Sequence, residues 1–229
     1  MESHGAQGHW VLTLGPLEIG WEVLTTWLIM ALLGLGSWLL TRRFTDDPGR
    51  LQTMTEGIIS VIEGAIEAVL PGHTWRVLPF VGTLWIFLTV ANLIGLVPGL
   101  DSPTTEISVT GALAILVFMS VHWFGIRSEG LWGYLKHYVS PSPLLLPFHI
   151  IGEITRTLAL AVRLFGNIMS MENAALIILM VMGFLAPIPI LMLHIIEALV
   201  QTYIFGMLAL IFIAGAISSQ GKPSSRREP

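Results

Sequence analysis

Long apolar runs, separated by short polar stretches, dominate this chain and predict helices that cross a membrane. Three runs, at residues 21–41, 77–97 and 107–126, match the ~20 residues that a helix needs to span a bilayer. Two later runs, at residues 144–185 and 188–217, are longer. At ~1.5 Å per residue, an upright helix of the first of these lengths overshoots a ~30 Å hydrocarbon core. We therefore expect the last two helices to be strongly tilted and joined as a hairpin.

One segment has a different pattern. In residues 51–70, isoleucines and valines recur at helical spacing, whereas Glu56, Glu63 and Glu67 line another face. The carboxylates argue against a span, so we expect an amphipathic helix that lies along the membrane surface or beside the bundle. A cluster of carboxylates can also form a metal site, but we favour solvation on a wet face.

Composition supports an all-α integral membrane protein with about five transmembrane helices plus this amphipathic surface helix. Of the 229 residues, 54% are hydrophobic and only 11% are charged, whereas soluble domains carry about 25% charged residues. The length suits a single membrane domain, residues 1–229. The net charge of −4 gives no indication of a nucleic-acid partner. The sequence has no cysteine, which excludes disulfides and thiolate metal sites.

Basic residues fall on one side of the predicted bundle. With five spans, the loops and tail on that side carry every basic residue outside the long fourth helix: Arg42, Arg43, Arg50, Arg76, Arg127, Lys136, Lys222, Arg226 and Arg227. Cytoplasmic loops carry an excess of positive charge. We therefore predict that residues 1–20 form an external tail and residues 218–229 a cytoplasmic tail.

Arg163 stands in the middle of residues that otherwise belong in hydrocarbon. Its guanidinium cannot escape the charge by losing a proton, and a charge at mid-membrane costs at least ~2.5–3.5 kcal/mol. Apolar residues extend for several turns on both sides, so the side chain cannot reach the interface. We expect it to face protein, a water-filled cavity or an anionic partner. A pairing within the chain that supports packing is the alternative to a fixed charge that gates an ion path.

Other polar residues of the fourth helix occupy defined faces. At ~100° per residue, Arg156, Arg163 and Asn167 share one face, because they are seven and four residues apart. Glu172 follows Arg163 by nine residues, which places it on nearly the opposite side. Glu153 precedes Arg156 by three residues, so the two can simply pair near the cytoplasmic interface.

The last helix carries a polar stripe of its own, formed by His194, Glu197 and Gln201. In the predicted topology, Glu172 lies near the same external end as His194 and Glu197. Because histidine titrates near neutral pH, such a cluster would form a titratable path from outside to mid-membrane. Alternatively, His194 and Glu197 neutralise each other and Gln201 only bonds helix to helix. We expect the latter kind of contact for Asn92 in the second span.

Motifs of enzymes are absent from the sequence. It has no H-E-x-x-H zinc motif, no G-x-S-x-G elbow and no phosphate-cradling glycine loop. We therefore expect no metal, no cofactor and no catalytic residues, and an intramembrane enzyme based on His194 and Glu197 lacks a nucleophile. A self-contained secondary transporter or channel, with Arg163 binding an anion, would favour internal repeats, and we find no clear one.

Several segments resemble one family in succession. RLFGN at 163–167, Glu172 nine residues after the arginine, and HIIEALVQTYIF with Gln201 resemble subunit a of the F-type ATP synthase membrane sector. TRRF, ANLIGLVPG, SPTTEISVTGALA and PFHIIGEITRTLALAVRLFGNI follow the family's order, so the resemblance covers nearly the whole chain. Thr157 departs from the family pattern, which often has a proline there.

The resemblance implies a stator beside a rotating ring of c subunits, each bearing a mid-membrane carboxylate. Arg163 would face that carboxylate, with Gln201 close by, and block leakage between two aqueous half-channels. The remaining residues of the implied ion path are Glu172, His194 and Glu197 in the external half-channel, and Asn167 and Glu153 as wall residues.

The family also implies partners and a location. Expected partners are the c-subunit ring, the peripheral-stalk b subunits, the rest of the ATP synthase and the lipid bilayer. The chain would be a non-catalytic, multi-pass subunit of a bacterial plasma (inner) membrane, with its N-terminus outside. The resemblance leaves protons and sodium ions open as the coupling ion, and likewise synthesis and ATP-driven pumping as the main direction.

Overall fold

A computed structural model of the chain describes residues 10–14, 17–42, 49–96, 102–139, 146–182 and 188–218. Helices account for most of these residues: α1 (Trp21–Thr41), α2 (Arg50–Val69), α3 (Thr74–Ile94), α4 (Ile107–Val139), α5 (Leu146–Met182) and α6 (Ile188–Ser218). A short 3₁₀ turn, Pro103–Thr105, precedes α4.

Five of these helices are long and apolar enough to cross a membrane, namely α1, α3, α4, α5 and α6. The apolar stretch of α5 has 35 residues and that of α6 has 30, more than the ~20 that one upright span requires. The prediction of a helical membrane protein with about five spans, ending in two long helices, is thereby confirmed. Helix α2 is not among the five.

The first residues depart from the expected tail. Strands β1 (Trp10–Leu14) and β2 (Leu17–Gly20) pair antiparallel, with Thr13 opposite Glu18 and Leu14 opposite Leu17. The sequence analysis did not predict this hairpin, because each strand is too short to show a periodicity of its own. Residues 1–9 and most of the predicted cytoplasmic tail, from residue 219 onward, lie outside the described residues.

Helix α4 continues beyond its predicted span. Its membrane-crossing part is Ile107–Ser128, and the chain then turns at Gly130, where φ is 78° and ψ is 163°. Only glycine adopts a positive φ readily, so this residue lets the chain leave the direction of the span. The rest of the helix, up to Val139, runs in another direction.

The turn between α2 and α3 is held by Glu67. Its carboxylate accepts hydrogen bonds from the backbone N–H of Gly72, at 3.2 Å, and from the hydroxyl of Thr74. Gly72 has a φ of +77° and makes the tight reversal possible. Glu67 is exposed, as expected for a solvated face, but it also fixes the turn that leads into α3.

The core of the bundle lies between α3 and α6, with α2, α4 and α5 packed around them. Fully buried members include Val77 and Leu88 of α3, Phe205 and Ile213 of α6, and Leu164 of α5. Lipid tails are as apolar as leucine, so close packing and hydrogen bonds, rather than the hydrophobic effect, hold such helices together.

A closed hydrogen-bond network ties α3 to α6 and to the 3₁₀ turn. Asn92 of α3 donates to the Thr202 hydroxyl of α6 at 3.0 Å and accepts from the Thr104 hydroxyl at 2.8 Å. Ser102 lies 2.7 Å from Thr104 and donates to the Ala91 carbonyl at 2.8 Å. All four side chains are buried. Asn92 is thus the interhelical contact that the sequence analysis favoured.

Candidate functional site

Arg163 lies on α5 at the border between its buried and exposed faces. The next residue, Leu164, is fully buried, whereas Val162 on the other side is exposed. The Arg163 side chain is itself exposed. Among the described residues it forms no ion pair and no hydrogen bond. A packing role through a partner within the chain is therefore disfavoured for this guanidinium.

An exposed apolar surface adjoins Arg163. It is formed by residues of α5 and α6: Leu158, Val162, Met169, Leu176, Ile177, Ile195, Ile196, Leu199, Val200 and Tyr203. We call these ten residues the apolar face. In a membrane, such a face contacts lipid or another membrane protein. The charge beside it has no counterpart in lipid tails, which favours a protein partner with a polar group.

A hydrogen bond between polar side chains joins Asn167 of α5 to Gln201 of α6. The Asn167 Nδ2 donates to Gln201 Oε1 at 2.9 Å. Asn167 follows Arg163 by four residues, so this bond lies one helical turn from the guanidinium. The carboxamide of Gln201 is buried, with 2% of the residue exposed. The structure thus brings together three residues that the sequence analysis assigned to the site.

The stripe of His194, Glu197 and Gln201 on α6 is incompletely hydrogen-bonded. His194 is 2% exposed and Glu197 is half-buried. The buried atoms His194 Nε2, Glu197 Oε2 and Gln201 Nε2 lack partners among the described residues. A direct ion pair between His194 and Glu197 is likewise not formed. Buried polar atoms normally have a partner, so a stripe of unpartnered ones suits bound water or a bound ion.

Glu172 is the one predicted site residue whose side chain the structure does not describe. It belongs to α5, nine residues after Arg163. Its side chain lies outside the described part of the structure, so its expected proximity to His194 and Glu197 stays a prediction.

A cleft of about 430 Å³ opens at the beginning of α5, lined by Phe148, His149, Gly152, Glu153 and Arg156. Glu153 Oε1 accepts a hydrogen bond from Arg156 Nη2 at 2.8 Å, which is the local pair that their spacing allows. The Glu153 side chain is mostly buried, with 13% exposed, against 40% for Arg156. Charged groups therefore line a concave, solvent-accessible surface at this end of α5.

Sequence reasoning missed the contact that Arg156 makes with α6. Its guanidinium carbon lies 3.8 Å from the centre of the Phe212 ring, a cation–π geometry. Arg156 therefore joins the two long helices, whereas Arg163, one heptad later, has no partner among the described residues. The heptad spacing placed both arginines on one face, but Arg156 differs in having Glu153 and the Phe212 ring as neighbours.

Comparisons with known proteins agree on one family. The model of the family described as ATP synthase A chain matches residues 23–214. ATP synthase subunit a 2 of Pelobacter propionicus is 61% identical over 216 residues, which cover 94% of this chain and 93% of that protein. ATP synthase subunit a 1 of Hahella chejuensis is 64% identical over 206 residues, covering 90% and 88%. ATP synthase subunit a of Legionella pneumophila (strain Paris) is 57% identical over 220 residues, covering 96% of each.

Proposed function

The chain belongs to the family of ATP synthase subunit a, and on that premise we propose that it is the ion-channel stator of the enzyme's membrane sector. Membership in the family implies a complex with other ATP synthase subunits, in which this chain is a membrane-integral part rather than the catalytic head. It would carry protons, or sodium ions, to and from carboxylates on a rotating c-subunit ring. The chain itself would then form no covalent bond and bind no nucleotide.

The observation that carries this proposal is the exposed guanidinium of Arg163 beside the apolar face, which has no partner among the described residues. A permanent cation needs an anionic partner at this depth. A carboxylate on the c ring would be that partner when the ring lies against the apolar face. Arg163 would favour the ionised carboxylate and prevent ions from passing directly between the two half-channels.

For the external half-channel, we propose the polar stripe of α6 together with Glu172. Three buried atoms of the stripe have no partner among the described residues, and water molecules would complete their hydrogen bonds. Such a water file would lead from the outer end of α6 toward Gln201, whose oxygen already bonds Asn167. Titratable groups along it suit the exchange of protons with water.

For the internal half-channel, we propose the cleft around Glu153. It is lined by His149, Glu153 and Arg156 and lies at the opposite end of α5 from Glu172. A half-buried ion pair and an imidazole can hold water where an apolar surface cannot. Ions released from the ring would leave through this cleft.

Orientation and partners complete the proposal. Basic residues flank the inner ends of the spans, with Arg42 after α1, Arg76 in the first turn of α3 and Arg127 near the end of the α4 span. By the positive-inside rule, this end faces the cytoplasm of a bacterial plasma membrane, and the N-terminus lies outside. Beyond the c ring, the partners would be the peripheral-stalk b subunits.

The first experiment compares native complex with an Arg163→Ala variant. ATP-driven ion uptake into inverted membrane vesicles is measured per assembled complex, and assembly is quantified in the same membranes. We expect uptake to fall below about one hundredth of the native rate, because the lost electrostatic term exceeds ~2.7 kcal/mol.

Leu164→Ala is a matched control, since Leu164 is buried next to Arg163 and carries no charge. It is expected to affect assembly more than uptake per complex. Native coupled uptake in assembled Arg163→Ala complexes would overturn the proposal. Ion transport by the purified chain alone in liposomes would instead favour a self-contained transporter.

A further inference from the structure

Trp85 of α3 lies directly on the backbone of α6 at Gly206. A Cβ atom added to Gly206 would overlap three atoms of the indole, Nε1, Cδ1 and Cε2. Thus even the smallest side chain at position 206 is incompatible with the observed position of Trp85. Small residues allow such close approach of helices in membranes. Here the indole ring of Trp85 fills the space left by the missing side chain of Gly206, which we call the notch.

The same indole makes a second contact with α6. It stacks in parallel on the ring of Tyr203, with ring centres 6.3 Å apart and planes inclined by 3°. Residues 203 and 206 are three apart and lie on one face of the helix. Trp85 therefore packs against both the ring of Tyr203 and the backbone of Gly206. The Trp85 Nε1 has no hydrogen-bond partner among the described residues, so the indole is held there by shape.

A hydrogen bond one to two turns away acts on the same pair of helices. Asn92 follows Trp85 by seven residues on α3 and bonds Thr202 of α6 at 3.0 Å. Trp85 precedes Asn92 on α3, whereas its contact Gly206 follows Thr202 on α6, so the two helices run antiparallel and the two attachments lie about one turn apart on α6. Two attachments at different heights prevent α6 from sliding along α3.

Gln201 is adjacent to the first attachment and five residues from the second. Its oxygen must reach Asn167 of α5, at 2.9 Å, one turn from Arg163. One residue of axial slip moves a helix by ~1.5 Å, which is enough to break a bond of that length. The position of Gln201 relative to α5 thus depends on where α6 rests against α3.

We propose that Trp85, seated on Gly206, is a positioning residue for the ion path: it sets the height of α6 at which Gln201 meets Asn167 beside Arg163. This inference rests on the proposed function for its effect on transport. The contact itself is independent of that function.

The test exploits the part of the ring that fills the notch. The atoms Nε1, Cδ1 and Cε2 belong to the five-membered ring of the indole, which is bonded directly to Cβ, so only a side chain without a ring vacates this space. Gly206→Ala alone therefore forces α6 and Trp85 apart, whereas Trp85→Ala combined with Gly206→Ala leaves room for the new methyl group. Gly82→Ala is the matched control, because a Cβ at this buried glycine would lie 3.8 Å from Ile62 Cγ2, an ordinary contact.

Two quantities are measured for each variant, assembled in the whole complex. One is ATP-driven uptake per complex. The other is the cross-linking yield between Asn167→Cys and Gln201→Cys with a short thiol-to-thiol methanethiosulfonate reagent. The chain contains no other cysteine, so this yield reports only the register of α5 and α6 and requires no ion flow.

We expect Gly206→Ala to lower uptake at least about tenfold, since misplacement by ~1 Å can cost a site ~10²-fold, and to lower cross-linking severalfold. Trp85→Ala should lower each quantity by no more than about threefold, because it leaves a cavity instead of pushing α6 away. The double variant should match Trp85→Ala rather than Gly206→Ala. If Gly206→Ala does not accumulate in the membrane, the double variant is compared with it instead. Accumulation and cross-linking restored in the double variant support the inference, and a double variant that also fails to accumulate contradicts it.

Native cross-linking in Gly206→Ala would overturn the inference, and so would a double variant as defective as Gly206→Ala. A register shift without loss of uptake would also overturn it, while leaving the role of Arg163 intact. Conversely, native uptake in Arg163→Ala would remove the proposed function but leave the cross-linking result standing. The two failures are therefore distinguishable.

Discussion

Helix α6 presents two polar surfaces at membrane depth, and they differ in how completely their hydrogen bonds are formed. Toward α3, the Asn92 carboxamide both donates to Thr202 and accepts from Thr104. Toward α5, Asn167 and Gln201 share one bond, and three buried atoms of the α6 stripe have no partner among the described residues. We call the Asn92 network the closed surface and the α6 stripe the open surface. Trp85 Nε1, two turns from Asn92 on α3, is also buried without a partner among the described residues, but it lies outside the Asn92 network.

This difference separates two uses of polar residues in a membrane protein. A satisfied network stabilises one arrangement of helices and leaves no capacity for a ligand. Unsatisfied buried atoms cost about 1–3 kcal/mol each unless water or a ligand bonds to them. Several unsatisfied polar atoms in one stripe therefore favour a site where water or an ion binds. On this ground, we propose that ions move along the α5–α6 side, whereas the α3–α6 side serves as scaffold.

The largest effect that would test this comparison is expected for His194→Ala. Removal of the imidazole takes a titratable group from the open surface, and uptake per complex should fall about fivefold, equal to about 1 kcal/mol. Assembly should stay near native. His194→Gln keeps hydrogen-bonding atoms and should lose less. Unchanged uptake per complex together with poor assembly in His194→Ala would show that His194 has a structural role and no role in ion movement.

A smaller effect, on stability rather than on uptake, is expected for Asn92→Leu. The change leaves Thr202 without its bond and should destabilise the solubilised chain by about 1 kcal/mol. The temperature at which the chain aggregates in detergent measures this loss. Thr83→Val removes a hydroxyl that bonds only the Pro79 carbonyl, at 2.6 Å, and is the control. Strongly reduced uptake in stable Asn92→Leu complexes would contradict the distinction.

The smallest effect is expected for Glu67→Ala, far from both surfaces. Its carboxylate accepts two hydrogen bonds in the α2–α3 turn from an exposed position, so its loss should cost about 0.5 kcal/mol, the low end for a hydrogen bond in a protein. The same aggregation assay should show a slight shift and the vesicle assay no change. Glu63→Ala, on the same helix but without such a bond among the described residues, should shift neither. A large loss of uptake would show that the α2–α3 turn affects the ion path.

The sequence by itself determined what depends on single helices. Hydrophobic runs of known length predicted the spans, because burial in lipid acts on each helix separately. Arg163 was selected because a permanent charge far from either end of an apolar run is visible in the sequence of that helix alone. The pair of Glu153 and Arg156 was predictable as well, since its members are three residues apart. Helical periodicity also placed His194, Glu197 and Gln201 on one face.

Only the tertiary structure decided which faces meet and at what height. Asn167 and Gln201 are 34 residues apart in the chain, and Asn92 and Thr202 are 110 apart. Periodicity states which side of a helix a residue occupies, but it does not state which helix lies opposite. The notch at Gly206 becomes visible only when Trp85 fills it. The hairpin of β1 and β2 is local, with only residues 15–16 between its strands, and was missed because each strand is too short to show a period of its own. The contacts between helices could not be predicted because the packing of the whole bundle sets them.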